Sequence, residues 1–432
     1  MRLSKKGEVN MKKILALVLA LVLCVGLLAG CGGGKDGGVI KIGYVNPYTG
    51  ALAGNGEGCD WVVNEIETYV NTTLGGIDIG GAKYTVDVIT YDSKSDPNTC
   101  GEMAAKLCDE DEVDLIVAIQ TPETVIPVMN TAEAYGVPCI AIQAPVNPVS
   151  GNLVGSGEWT VHAFWTIEKV YEQYKALWAA AGYLPNTGVK VGLAFANDAD
   201  GSAWHSIFTA NLEKDGYIMV DPGQYPPTTT DFTNIVNTYK AQDIDILAGT
   251  NIPPNFLDLY TQVIAAGVEV GCVTMGKCCL LEGDIGVLAE KGEGIMTEVW
   301  WAPTNPYTSA LTGVSCEALG AKYSADNGGR QMPQPAGYAY AALELAIQAF
   351  QKAGSTEKTA VRDAMKALDT TTIVGPIKYD QKMGNLTYSD TVIGGGQWQM
   401  IDGKLTLKII DNTVYPEVPV TGSYVAGNAT TK

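Results

Sequence analysis

The sequence predicts an α/β protein of two doubly wound parallel-sheet lobes, and three observations lead there. Short β-rich runs alternate with amphipathic helical stretches, the pattern of a parallel sheet covered on both faces. The alternation restarts near the middle of the chain. Length points the same way: setting aside the first 30 of 432 residues leaves 402, too long for one core and suited to two.

In order, Val39 to Val45 reads as a buried strand and Glu57 to Val70 as a helix carrying Trp61, Ile66 and Val70 on one face. Tyr84 to Tyr91 is a strand. Asp96-Pro97 opens the next helix, with Asp as cap and Pro at the first helical position. Val113 to Ile119 is a strand rich in β-branched residues, a helix opens at Thr121-Pro122, and Val137 to Ile142 is a further strand. The second round has helices at Ile167 to Ala181, Ala203 to Lys214, Phe232 to Tyr239 and Pro254 to Ala266, the last ended by Gly267. Its strands are Val189 to Phe195, Tyr217 to Val220, Ile244 to Leu247 and Val270 to Met275. Helices at Pro335 to Lys352 and Thr356 to Leu368 precede two strands, Thr391 to Met400 and Leu405 to Ile410, joined through Asp402-Gly403 as a hairpin. Two such units leave a cleft, and ligands of these sheets bind at the carboxyl ends of the strands.

The amino terminus is an export signal by composition. Lys12 and Lys13 precede an apolar block from Ile14 to Leu28, with small residues before a cut site. Purine-rich codons for Lys6 to Val9 would place the translation start at Met11. Leu28-Ala29-Gly30-Cys31 resembles the lipobox of bacterial lipoproteins. That resemblance implies a lipid on Cys31 and anchoring to the outer face of the cytoplasmic membrane, with Gly32 to Gly38 as tether.

The whole chain has net charge −19. The first 30 residues hold five basic and one acidic side chain, so the remainder stands at −23. Such acidity argues against nucleic acid and anionic lipid as partners. Eight of the ten cysteines lie beyond Cys24 and Cys31. Cys278 and Cys279 are adjacent, and Cys100 and Cys108 share a helix, so neither couple is placed to bridge. Cys59 and Cys100, each near a helix start, are the candidate pair. His162 and His205 are the only imidazoles, and no zinc spacing exists.

Several segments resemble the type I periplasmic binding proteins of the leucine-isoleucine-valine-binding family. They are Ile40-Lys41-Ile42-Gly43, Pro47-Tyr48-Thr49-Gly50 with Gly56, Tyr91-Asp92 with Asp96-Pro97, and Gly136-Val137-Pro138. Asp243-Ile244-Asp245-Ile246 with Ala265-Ala266-Gly267 continues the match, as do Gly375-Pro376-Ile377 with Tyr379-Asp380 and Gln397-Trp398-Gln399-Met400 with Gly403-Lys404. The resemblance spans nearly all of the exported chain. It implies a flytrap with a three-crossover hinge that delivers a small solute to an ABC permease. The expected division is a signal peptide at 1–30, a tether at 31–38, lobe I at 39–162 and 302–388, and lobe II at 163–301 and 389–432.

Loops that follow strands supply the candidate ligand residues, because helix N-termini there offer free N–H groups to a carboxylate. Gln120 and Thr121 come first, with Thr121 doubling as a cap. Gln143 and Ala144 follow the next strand, and Tyr48 and Asn55 lie in the first such loop. From the second half come Asn197, Asp198, Asp200, Trp204, Asn251 and Lys277. Asp198-Ala199-Asp200-Gly201 echoes a calcium loop without the full ligand series, so no metal is expected. Phe164, Trp165 and Tyr338 either stack on a flat ligand or pack the core. Lys277 offers a cation to a carboxylate, or else is a solvated surface residue. Members of the family that bind amino acids carry a glutamate near this place for the ligand's ammonium, and none stands beside Lys277.

The reading is an extracytoplasmic solute-binding lipoprotein of an importer of the branched-chain amino acid type. It would capture a small amino acid, amide or carboxylate and need no cofactor. Its partners would be the ligand, the permease subunits and the membrane through the anchor. The alternative is a sensor that passes a ligand signal to a partner without transport. An enzyme using Cys278 or Cys279 is disfavoured, since neither histidine is near them in sequence.

Overall fold

The structure is a computed structural model that describes residues 35–428. The export signal, the start at Met11 and the lipid site at Cys31 lie outside the described residues.

The first half of the chain supplies strands β1 (Lys35–Asn46), β2 (Ile77–Ile79), β3 (Ala82–Asp92), β4 (Leu115–Ala118), β5 (Cys139–Ile142) and β6 (Thr160–Ala163). The second round supplies β7 (Lys190–Phe195), β8 (Ile218–Val220), β9 (Ile246–Asn251), β10 (Cys272–Lys277) and β11 (Met296–Val299). Then come β12 (Asp369–Thr372), β13 (Gly375–Lys378), β14 (Gln381–Met383), β15 (Leu386–Ser389), β16 (Gly394–Ile401) and β17 (Lys404–Asp411). The helices are α1 (Cys59–Thr68), α2 (Pro97–Asp109), α3 (Pro122–Tyr135), α4 (Val146–Asn152), α5 (Ile167–Ala180) and α6 (Ala199–Asn211). They continue with α7 (Thr233–Gln242), α8 (Pro253–Ala265), α9 (Glu282–Ile285), α10 (Cys316–Asp326), α11 (Gln334–Ala353) and α12 (Lys358–Lys366).

One sheet has the order β14-β15-β6-β5-β4-β1-β3-β2, the other β17-β16-β11-β10-β9-β7-β8, and β12 and β13 form a small separate ladder. The chain moves from the first sheet to the second after β6, returns after β11 and crosses again after β15. The central pairs of both sheets are parallel, while β2, β14, β16 and β17 add antiparallel strands at the margins. Two doubly wound α/β lobes result, as the strand–helix alternation predicts.

Local chemistry accounts for most element ends. Asp96 accepts the Thr99 N–H at 2.8 Å and Pro97 occupies the first turn of α2. Asp402 (φ 51°) and Gly403 (φ 79°) turn the β16–β17 hairpin, the paired positive φ of a type I′ turn. The helix expected from Ala203 starts earlier, at Ala199, because Asp198 accepts the Gly201 N–H at 2.7 Å and caps it. In β16, a Cβ on Gly395 would lie 2.6 Å from Gln173 Nε2 and 2.7 Å from Leu177 Cδ2, so bare backbone is what lets α5 lie on this strand.

The Cys59–Cys100 bridge is not formed. All eight described cysteines are free and buried. Cys59 packs with Ile40, Ile42 and Tyr44 on one face of the first sheet, and Cys100 packs with Val45, Ile116 and Ala118 on the other. The sheet separates them, since α1 and α2 cover opposite faces. Among the described residues no helix is long and apolar enough to cross a membrane.

Candidate ligand-binding site

The carboxyl ends of β1, β4, β5 and β6 stand side by side. Val45 pairs with Ala118, Ala118 with Ala141, and Ala141 with His162. Asn46, Gln120, Gln143 and Trp165 therefore leave one edge of the sheet together. In the second sheet Phe195 pairs with Thr250, and Asn251 with Lys277. Three of these end residues, Gln120 (φ 83°), Gln143 (φ 66°) and Lys277 (φ 63°), hold left-handed backbone without being glycine. Each costs on the order of 1–3 kcal/mol, and such strain gathers where side-chain direction matters.

The two edges meet. Glu123, in the first turn of α3, reaches Lys277 Nζ at 3.3 Å and accepts the Asp200 N–H at 3.3 Å. Lys277 Nζ also lies 2.9 Å from Asp200 Oδ2. The Trp165 ring meets the Trp204 ring edge-on at 6.1 Å. Lys277 is only 6% exposed, so this is a buried charge cluster rather than a surface pair. Burial raises the Asp200 carboxyl, and Glu123 and Asp198 reinforce the shift while Lys277 opposes it, leaving it at about 7. Burial would also raise Glu123, but the Lys277 ammonium outweighs it and holds that carboxyl below its ordinary range. Burial works against the Lys277 ammonium too, and Asp200, Glu123 and Asp198 together more than offset it.

Around this cluster lie buried polar atoms without a protein partner. The first sheet's side contributes Asn55 Nδ2, Gln120 Oε1, Gln143 Oε1 and Trp165 Nε1; the second contributes Asp200 Oδ1, Trp204 Nε1 and Thr250 Oγ1. Buried polar groups are almost always satisfied, so a concentration of orphans calls for a partner from outside the chain. A groove of about 420 Å³ lies elsewhere between the lobes, with Leu281, Trp301, Gln334 and Trp398 on its walls. None of the ligand candidates selected from the sequence lines it. Its rim is already ion-paired, Glu57 with Arg330 at 2.5 Å and Glu282 with Lys404 at 2.8 Å. The strand-end cluster, not this groove, has unmet bonding capacity.

The sequence profile of the family described as periplasmic binding protein matches residues 39–390. The chain belongs to the type I periplasmic binding proteins of the leucine-isoleucine-valine-binding family. A Leu/Ile/Val-binding protein homologue of Brucella melitensis is 23% identical over 399 residues, covering 88% of this chain and 91% of its own. A solute-binding protein of an ABC transporter from R. palustris, solved with 4-hydroxybenzoate, superposes with TM-score 0.68 at 19% identity, over 87% of this chain and 98% of that one. A branched-chain amino acid substrate-binding protein of Streptococcus pneumoniae, solved with isoleucine, gives TM-score 0.68 at 19% identity, over 86% and 99%. A leucine-binding protein of Thermotoga maritima gives 0.70 at 15%, over 87% and 99%. This periplasmic binding protein is thus a solute-binding protein rather than an enzyme.

The structure sorts the residues selected from sequence. Gln120, Thr121, Gln143, Ala144 and Lys277 sit buried at the facing strand ends, Asp200 is buried in the first turn of α6, and Asn55 is buried in the loop that follows β1. Thr121 occupies the N-cap position of α3 without making the capping bond. Gln120 Nε2 reaches Asn46 Oδ1 at 3.4 Å, and Gln143 Nε2 donates to the Pro335 carbonyl at 2.6 Å. Ala144 offers its carbonyl to His162 Nε2 at 2.6 Å. Tyr48 differs: its hydroxyl donates to Asp60 at 2.6 Å near the surface. Phe164 is packed against the Trp165, Trp300 and Tyr338 rings at 4.4, 5.0 and 5.2 Å and is a core residue. Asn251 is bonded within its own lobe, accepting from the Tyr225 hydroxyl and donating to the Ala194 carbonyl at 3.2 Å. Lys277 is neither a surface lysine nor a free cation, because two carboxylates already hold it. Glu123 and Glu298 were not selected from sequence. Glu298, on β11, accepts from the Tyr174 hydroxyl at 2.7 Å, the Trp300 indole at 3.3 Å and the Lys277 N–H at 3.4 Å. An acidic residue inside the apolar run Ile295 to Trp301 was the available signal.

Proposed function

We propose that this protein is an extracytoplasmic lipoprotein, held through Cys31 and its glycine-rich tether, that captures a small carboxylate or amide between its lobes and presents it to an ABC permease. The observation that carries the reading is the set of buried, unpartnered polar atoms contributed from both sides of the cleft. A ligand with both donors and acceptors would satisfy them only when the lobes are shut, which is the differential affinity a flytrap needs. The aromatic neighbours Trp165, Trp204 and Trp300 favour a ligand with planar apolar surface. Relatives solved with isoleucine and with 4-hydroxybenzoate bracket the classes to try.

The test is mass spectrometry of ligand released from the purified protein, followed by a thermal-shift panel of amino acids, amides and aromatic acids. A ligand selective for the native state raises the melting temperature. Release of a planar carboxylate or amide, with a matching shift, supports the reading. Recovery of branched-chain amino acids alone would refute the ligand class, and loss of binding should follow Gln120→Ala or Gln143→Ala if the strand-end cluster is the site.

A further inference from the structure

We infer that Lys277 is a specificity-determining residue: its ammonium occupies the place between Glu123 and Asp200 that a ligand's own ammonium would take, so the ligand carries no primary amine. The inference rests on the cleft reading above and narrows its ligand class.

Two carboxylates reach this point from opposite lobes, Glu123 from α3 and Asp200 from α6, and each lies within 3.3 Å of Lys277 Nζ. The closed cleft thus holds an acid pair whose natural occupant is one cation, and the chain supplies that cation itself. The side chain is nine-tenths buried, so solvent does not compete for it. A ligand ammonium would have to displace Lys277 or sit against it, and like charges at such distances repel strongly where water is excluded. Two further carboxyls face the cluster, Asp198 at the cap of α6 and Glu298 on β11. Burial raises both, and Asp200 with them, which works against full negative charge in a cluster that holds one cation. What remains open includes Asp200 Oδ1, the amide oxygens of Gln120 and Gln143 and the indole N–H groups of Trp165 and Trp204, beside the third N–H of Lys277. Those atoms suit a carboxylic acid, amide or hydroxyl.

The experiment is chemical rescue. Lys277→Ala removes the atoms of n-propylammonium and keeps the Cβ, so backbone strain at this left-handed position is unchanged. The variant should melt several degrees below the native protein, and tens of millimolar n-propylammonium chloride should recover at least half of the loss. Tetramethylammonium chloride, which has no N–H, should recover none. Lys277→Met, whose side chain fills the space, should not respond to propylammonium. Equal responses of the Ala, Met and native proteins would overturn the inference. If Lys277→Ala does not fold, the native protein decides: binding of any primary amine or α-amino acid in the cleft refutes the proposal, and binding confined to amine-free carboxylates and amides supports it. Should the native protein bind no small molecule at all, the cleft function fails, while rescue by propylammonium still reports whether Lys277 fills a cation site.

Discussion

His162 gives this protein a measurable acid sensitivity. The ring is fully buried on β6, and Nε2 lies 2.6 Å from the Ala144 carbonyl, which can only accept; Nε2 therefore carries the proton and Nδ1 is left without a partner. Burial lowers its pKa from 6.5 to about 4, with the bonds to backbone opposing the shift. Between those values the unfolded chain binds the extra proton and the native state does not. Stability from this group is complete above 6.5 and is lost as pH falls toward 4. At about 1.4 kcal/mol per pKa unit the whole effect is about 3 kcal/mol, and roughly 2 kcal/mol is gone by about pH 5. Asp200, Asp284 and Glu344 are raised by burial, to about 7, 6 and 8, and act in the opposite direction, since their protonation favours the native state as pH falls. The measurement must therefore be a difference. Urea unfolding is followed across this pH range for the native protein and for His162→Gln, whose amide keeps a donor for Ala144. The native protein should lose about 2 kcal/mol more than the variant on acidification. Coincident pH profiles would refute the reasoning. So would an ordinary histidine titration at His162, readily resolved by NMR because the chain has two histidines.

Three further outcomes are expected. Glu123→Gln weakens a charged contact that joins the two lobes in this structure. It should weaken ligand binding by roughly ten-fold or more, an effect of about 1–3 kcal/mol, with no change in the unfolding of either lobe; calorimetry showing unchanged affinity would count against the closed arrangement. Asn251→Ala should cost about 1–3 kcal/mol of stability by leaving the Tyr225 hydroxyl and the Ala194 carbonyl unpaired, so a variant with native urea resistance and impaired binding would return Asn251 to the ligand list. The eight buried thiols should be silent to a thiol reagent in the native protein and react once denaturant is added; prompt labelling of Cys59 or Cys100 would contradict their burial.

Much of the fold was legible because period and punctuation agreed. Asp96-Pro97 announces a helix, Asp402-Gly403 a hairpin, and the β-branched run before Gln120 a buried strand. β11 escaped because Thr297 and Glu298 interrupt its apolar signature, although both are buried. The short β6 escaped because its histidine and threonine read as polar while tertiary packing buries them. At the site, strand-end position together with the family resemblance brought out Gln120 and Gln143, and strand-end position brought out Lys277. Their backbone twist did not show, since no glycine marks it. Sequence also could not tell which polar atoms are consumed inside the chain. Asn251 and Lys277 read alike as free groups, and only three-dimensional neighbours reveal that one is tied to Tyr225 and the other to a pair of acids from opposite lobes.

The interleaving of the two sheets bears on how the molecule reaches its working form. β15, which borders β6, comes from residues 386–389, long after β11 has been made. Neither sheet can finish its edge until almost the entire polypeptide has emerged. Assembly therefore depends on contacts between distant parts of the chain, the kind that form slowly. A nascent chain of this topology stays open until its last strands have been made.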